Sequence, residues 1–308
     1  PTYLSGGGGL EYYFAGKDHA SIYLGNDTSP GLIVELDTKL SSMSKHPINI
    51  ADTLYRFLNV QLRVQPPYFY LFDGTVPCVF KGKLQDMRAV LQSDKAYGFT
   101  KAVIVDSTQM VIRTISDSRE NLLATLSIKE GKIIRFAPEL LEKQIDGLFD
   151  TDGTLQYSEQ LQQFVYLYYY RNQYVVADRN LTLLYRANTI DTTSKAKIRV
   201  EYLKQRNEKK FSAPPLMVNR ISTLHRNLLF VNSSLPGRHD TKKMWERASV
   251  IDVYDISTRT YVMSFYIDAL DGKKISDLMV TDTHVFALIG THIVSYRIGS
   301  ELKMHYKK

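Results

Sequence analysis

The residues able to do chemistry are sparse and poorly assembled in this chain. "FDTDGTLQYSE" places Asp150, Asp152 and Glu159 in a stretch that resembles a calcium loop, but Gly153 comes fourth and the fifth position carries no ligand. A turn leading into the next strand is the expectation there. The histidines His19, His46, His225, His239, His284, His292 and His305 show no His-x-x-x-His spacing, so no helical zinc site is expected. His284 and His292 alternate with apolar neighbours and read as packing residues. Cys78, the only cysteine, lies in an apolar Pro-Cys-Val-Phe setting, which predicts a buried free thiol without a disulfide or a catalytic role. No Gly-x-Ser-x-Gly elbow occurs. Gly6 to Gly9 lack the following Gly-Lys-Ser/Thr of a phosphate loop and read as part of a flexible leader over residues 1–10. No catalytic set, metal site or cofactor is expected.

Basic residues offer a more definite pattern. "LPGRHDTKKMWER" is longer than a hairpin needs and carries Arg238, His239, Lys242, Lys243 and the single tryptophan, Trp245. "KQRNEKK" adds Arg206, Lys209 and Lys210, and "DGKK" adds Lys273 and Lys274. Brought to one face, these loops would sum their potentials, with Trp245 or His239 as a flat contact surface. The expected partner is an anionic or sugar-like ligand, or another protein. Exposed charges act jointly only within about 10 Å at 0.1 M salt, so the loops must lie close together. The net charge of +7 is otherwise spread along the chain, and no nucleic acid is expected as a partner.

The elements that must position these residues are mainly strands. Tyr (21) outnumbers Gly (17), and apolar runs recur on either side of an Asp-bearing turn at Asp73, Asp106, Asp178, Asp255 and Asp282. Aspartate suits such corners because its carboxylate accepts hydrogen bonds from turn amides. Units centred near Tyr23, Tyr70, Val111, Val175, Phe230 and Phe286 recur about every 50 residues, a period typical of propellers and solenoids. Gln173–Ala177 and Val285–Leu288 are expected as inner or central strands of different blades. Alternation through Tyr166–Tyr170 predicts inter-blade core on both faces. Short helices are expected in "NIADTLYRFL", in "APELLEKQIDG" and for a turn or two after Asp240. They are too few for an α/β sheet, and no apolar run approaches the roughly 20 residues of a membrane helix. The fold class is therefore all-β, a six-bladed β-propeller with a few short helical insertions over residues 11–308. A seven-bladed propeller, or two β-sandwiches divided near Asp150, is the alternative.

The phrases "NQYVVADRNLTLLYR" and "DLMVTDTHVFALIGTHIVSYRI" resemble those of the TolB-like six-bladed propellers, especially secreted or lipid-anchored proteins of Gram-negative bacteria. That resemblance implies export, to the periplasm or to a lipid anchor at the outer membrane. The expected function is a non-enzymatic binding or protein-interaction module. The alternative is a propeller hydrolase or lyase acting on a glycan or other polar substrate, with carboxylates gathered near the channel mouth.

Overall fold

Aspartate corners set the strand boundaries. The Asp73 carboxylate accepts the backbone N–H groups of Leu58 and Asn59 on one oxygen and of Thr75 and Val76 on the other. Burial would raise its pKa, yet these four donors hold it below the usual carboxylate range. Asp106, Asp178 and Asp255 close their turns in the same way, each accepting amides two to four residues ahead.

The computed structural model describes residues 2–5, 12–51, 55–94, 97–203, 205, 208–237 and 240–307. In chain order the strands are β1 (Thr2–Ser5), β2 (Tyr12–Lys17), β3 (Ser21–Asn26), β4 (Leu32–Asp37), β5 (Met43–Pro47), β6 (Asn49–Ile50), β7 (Val60–Gln65), β8 (Tyr68–Asp73), β9 (Cys78–Lys83), β10 (Arg88–Ser93), β11 (Lys101–Ile104), β12 (Gln109–Ile115), β13 (Asn121–Ser127) and β14 (Ile133–Ala137). Then come β15 (Gly153–Ser158), β16 (Gln163–Tyr168), β17 (Gln173–Asp178), β18 (Leu183–Asn188), β19 (Val200–Leu203), β20 (Glu208–Phe211), β21 (Asn219–His225) and β22 (Leu228–Ser233). After helix α1 (Lys242–Arg247) follow β23 (Ala248–Asp255), β24 (Thr260–Asp268), β25 (Ile275–Val280), β26 (His284–Ile289), β27 (His292–Arg297) and helix α2 (Ser300–Lys303).

The chain packs as two compact units, one of Pro1–Thr114, Ala124–Phe136 and Ala269–Met304, the other of Ile115–Leu123, Ala137–Asp268 and His305–Lys308. In the first, β25, β26 and β27 form an antiparallel sheet that β1 completes, with Thr2 opposite Ser295. Thr2–Ser5 is thus a paired strand rather than leader. Its partner lies at the other end of the chain, beyond the reach of local pattern. Residues 6–11 lie outside the described residues. The second unit holds the sheets β15–β18 and β21–β24 and the hairpin β19–β20. Strands β17 and β26 are central in two different sheets, as expected.

Four separate four-stranded sheets are found among the described residues, not six. The meanders β2–β5 and β7–β10 are joined into one nine-stranded sheet through a single parallel bridge, Gly16 to Val64, with β6 added beside β10. Gly16 permits this because a Cβ there would lie 1.9 Å from the Val64 carbonyl oxygen. Two of the expected helices are also corrected. Asn49–Ile50 forms a strand parallel to Arg88–Ala89, and the rings of Tyr55 and Phe57 pack 5.4 and 5.7 Å from Phe80. Residues 138–147 contain no helix. The turn expected after Asp240 does form as α1, with the Thr241 hydroxyl accepting the Met244 amide at 3.2 Å.

The core follows the strand period. Val165 and Leu167 pack with Tyr174, Val176, Leu229, Val231 and Tyr254. On the opposite side of β16, Tyr166 and Tyr168 are buried, and Tyr170 packs with Ala196 and Ile198, so these tyrosines are core and not a stacking platform.

Candidate functional site

The second unit carries long connections, and buried polar side chains hold them in place. The first, residues 138–152, turns around Asp150. This carboxylate is fully buried and accepts the amides of Gln144, Ile145, Asp146 and Gly147. Burial opposes its ionisation, but those donors keep its pKa below the ordinary value. Asp146 in turn accepts the amides of Leu148, Phe149 and Asp150. Of the carboxylates in the stretch that resembles a calcium loop, Asp150 is thus engaged by amides of the preceding residues and Asp152 by the Gly153 amide.

Arg171 locks this connection to the sheet below. It is fully buried, and its guanidinium lies 3.6 Å from the Tyr168 ring centroid. Its Nη2 donates to the Glu142 carbonyl at 2.7 Å and its Nε to Gln173 Oε1 at 3.1 Å, while Nη1 has no partner among the described residues. The Tyr168 hydroxyl accepts the Glu142 amide at 3.0 Å, and Arg186 donates to the Glu139 carbonyl at 2.6 Å. A helix over 138–147 is lost because its amides and carbonyls are claimed by Asp150, Arg171, Tyr168 and Arg186.

The connection from β18 to β21 is fastened similarly. Asn172 donates its backbone amide to Thr193 O at 2.8 Å and its side chain to Asp191 O, and Gln144 exchanges hydrogen bonds with Ser194 and Ala196. Asn219 reaches back to the carbonyls of Tyr168 and Arg171 at 2.8 and 3.0 Å. The hairpin β19–β20 seats Phe211 against Phe149, with centroids 4.4 Å apart.

Lys209 and Lys210 lie on β20. Lys209 pairs with Asp146 at 3.7 Å and Lys210 with Glu201 across the hairpin at 2.9 Å. Lys242 and Lys243 lie on α1, where Lys242 faces Glu246 at 3.8 Å, Met244 is exposed and Trp245 is half-buried. The structure thus puts these lysines on two elements of the same unit and gives three of them an acidic neighbour, which weakens the positive field expected from their number. The exposed pairs of Lys210 and Lys242 contribute about 0–1 kcal/mol each. Arg206, Arg238 and His239 lie outside the described residues, and Lys273 and Lys274 belong to the first unit. Asp240, just before α1, accepts the Gly237 amide at 2.7 Å and the Tyr266 hydroxyl at 2.6 Å, fastening the helix to strand β24.

Beneath this loop Asp252 is buried and accepts the Ser264 hydroxyl. Burial raises its pKa, Ser264 partly opposes this, and the charges of Asp240 and Asp191 add to the rise. Asp191 itself accepts the Thr193 amide at 2.6 Å. Each of these three carboxylates has a structural hydrogen bond. Among the described residues no group of three or more His, Cys, Asp or Glu side chains is placed to hold a metal ion. Sequence reasoning missed Arg171, Asn172 and Asn219, since an Arg-Asn pair between tyrosine-rich strands reads as an exposed turn.

Sheets of this size and connection define an all-β protein of propeller-like build. No family model matches the chain, and no curated protein matches it. Among solved structures it is similar to a member of the DUF4221 family from Bacteroides vulgatus, with a TM-score of 0.55 at 10% identity over 96% of this chain and 93% of that one. It is also similar to Raptor from Chaetomium thermophilum, with a TM-score of 0.54 at 11% identity over 97% of this chain and 29% of that one. These likenesses show the fold alone. No helix among the described residues is long and apolar enough to cross a membrane.

Proposed function

We propose that the chain is a non-enzymatic binding module, an exported propeller whose recognition surface is built from α1 and the β19–β20 hairpin of the second unit. In this reading the meanders β2–β5 and β7–β10 act as two blades, making six with the four separate sheets. The exported setting rests on the likeness of the strand–turn–strand phrases to the TolB-like propellers.

The observation that carries the reading is the fastening of the long loops. Tyr266 holds Asp240 just before α1, while Lys209 and Phe211 of the hairpin meet Asp146 and Phe149 of the 138–152 connection, whose backbone Arg171 and Asp150 hold. Loops ordered before a ligand arrives lose less entropy on binding it. The partner suited to this surface is anionic or sugar-like, contacted by Lys242, Lys243, Lys209 and Lys210 with Trp245 as the aromatic element. Asp191, Asp240 and Asp252 each accept a hydrogen bond that holds a loop or strand in place.

The test is an array of sulfated, uronic-acid and neutral glycans probed with the wild-type chain and with Lys242→Glu/Lys243→Glu/Trp245→Ala. The wild type should bind an acidic subset, and the variant should lose about tenfold or more in affinity, about 1.4 kcal/mol. Equal binding by both proteins, or no binding by the wild type, overturns the assignment.

A further inference from the structure

A separate feature lies in the first unit, where buried residues of the core between the sheet β2–β5 and the sheet β25–β27 line a small cavity. Leu24, Val34, Leu288 and Ile293 belong to that core and also form the floor of a cavity of about 70 Å³. Tyr12 and Met43 stand at its sides, Met43 being 46% exposed. The floor is aliphatic and supplies no polar side chain.

The rim has the opposite character. Lys45 lines the cavity from β5, where it pairs in register with Val34, and is exposed. His292 and the two-residue turn Gly290-Thr291 form the facing wall. Gly290 has a φ of +59°, and a Cβ there would meet Lys273 Cδ at 2.7 Å and Nζ at 3.6 Å. The Lys273 side chain therefore passes directly over this wall. Unlike Lys209, Lys210 and Lys242, neither Lys45 nor Lys273 has an acidic partner among the described residues. An aliphatic floor beneath two unpaired ammonium groups complements an alkyl chain that ends in one negative charge.

We propose that this cavity binds a medium-chain alkanoate, its chain on Leu24, Val34, Leu288 and Ile293 and its carboxylate between Lys45 and Lys273. The proposal is independent of the recognition surface on the second unit. Titrations at pH 7.5, below micellar concentrations, would compare hexanoate, octanoate and octanol by calorimetry, with backbone amide shifts as the site readout. Affinity should rise from hexanoate to octanoate, by no more than the roughly fourfold per methylene that full burial of each CH₂ gives. Octanoate should bind about tenfold more tightly than octanol, and Lys45→Glu/Lys273→Glu should abolish that preference while leaving octanol unaffected. Both substitutions are at exposed positions, and matching thermal unfolding would establish that the fold is intact. The neutral pair Lys45→Ala/Lys273→Ala should give an intermediate loss. Equal binding of octanol and octanoate, an unchanged preference in the charge-reversed variant, or shifts centred away from residues 288–293 would overturn the assignment. Tighter binding of acetyl-Leu-Leu than of octanoate would overturn it in favour of a peptide terminus.

Discussion

Replacing Arg171 by Met tests whether one buried guanidinium sets the loops of the second unit. Methionine keeps most of the side chain's length and packs in its place without a large cavity. The change removes the bond to the Glu142 carbonyl, the bond to Gln173 and the contact with the Tyr168 ring. Each hydrogen bond from a charged donor contributes about 1.5–3 kcal/mol, and a desolvated cation–π contact about 2 kcal/mol. Against this stands the cost of a buried charge with no carboxylate partner and a bare Nη1, about 1–3 kcal/mol for the unsatisfied donor and more for the charge. The net expected loss is about 2 kcal/mol, roughly thirtyfold in the unfolding constant. Arg171→Ala adds a cavity and should lose about 4 kcal/mol. Trp245, the only tryptophan, lies in the same unit, so its fluorescence during denaturant titration follows the unit that is perturbed. Hydrogen exchange should also quicken at Gln144, Ile145 and Gly147, whose amides are held by Asp150. An Arg171→Met protein within about 0.5 kcal/mol of wild type, with unchanged exchange at those amides, would refute the reasoning.

Two further outcomes follow from buried ionisable groups. Because the folded pKa of Asp252 is raised, the folded state holds more protons than the unfolded state between the ordinary aspartate pKa and that raised value, and stability falls as pH rises through this window. Asp252→Asn keeps an acceptor for Ser264 and should be more stable than wild type at pH 8, the advantage fading below about pH 4; a variant difference that does not change with pH contradicts this. Cys78 is buried and its thiol is pushed up to about 11, chiefly by desolvation. It should react with a disulfide reagent at pH 8 roughly a hundredfold more slowly in the native protein than after unfolding, and native labelling at the unfolded rate would contradict its burial.

Strands and their corners are legible along the chain, because they depend on neighbouring residues. Asp73 bonds Thr75 and Val76, and Asp178 bonds Asn180 and Thr182, at separations that a local pattern already displays. Alternation through β16 likewise announced two buried faces, and the apolar surroundings of Cys78 announced its burial. Helix α1 was legible as a turn or two after Asp240, although the hydroxyl that caps it belongs to the next residue, Thr241. Other features depend on groups delivered from far along the chain. Residues 138–147 have the capping residues of a helix, but Arg171 and Arg186 take their carbonyls from another sheet position and Asp150 gathers their amides. Asn49 and Ile50 pair with Arg88 and Ala89, and Thr2–Ser5 with strand β27, through backbone bonds that carry no side-chain signature. The fusion of two meanders turns on Gly16 meeting Val64, and a glycine in a strand does not name its partner. The candidate sites follow the same division. Basic residues can be counted along a chain, but whether each cation stands beside a carboxylate, as Lys209 and Lys210 do, or over an aliphatic floor, as Lys45 does, is fixed by contacts between separate strands.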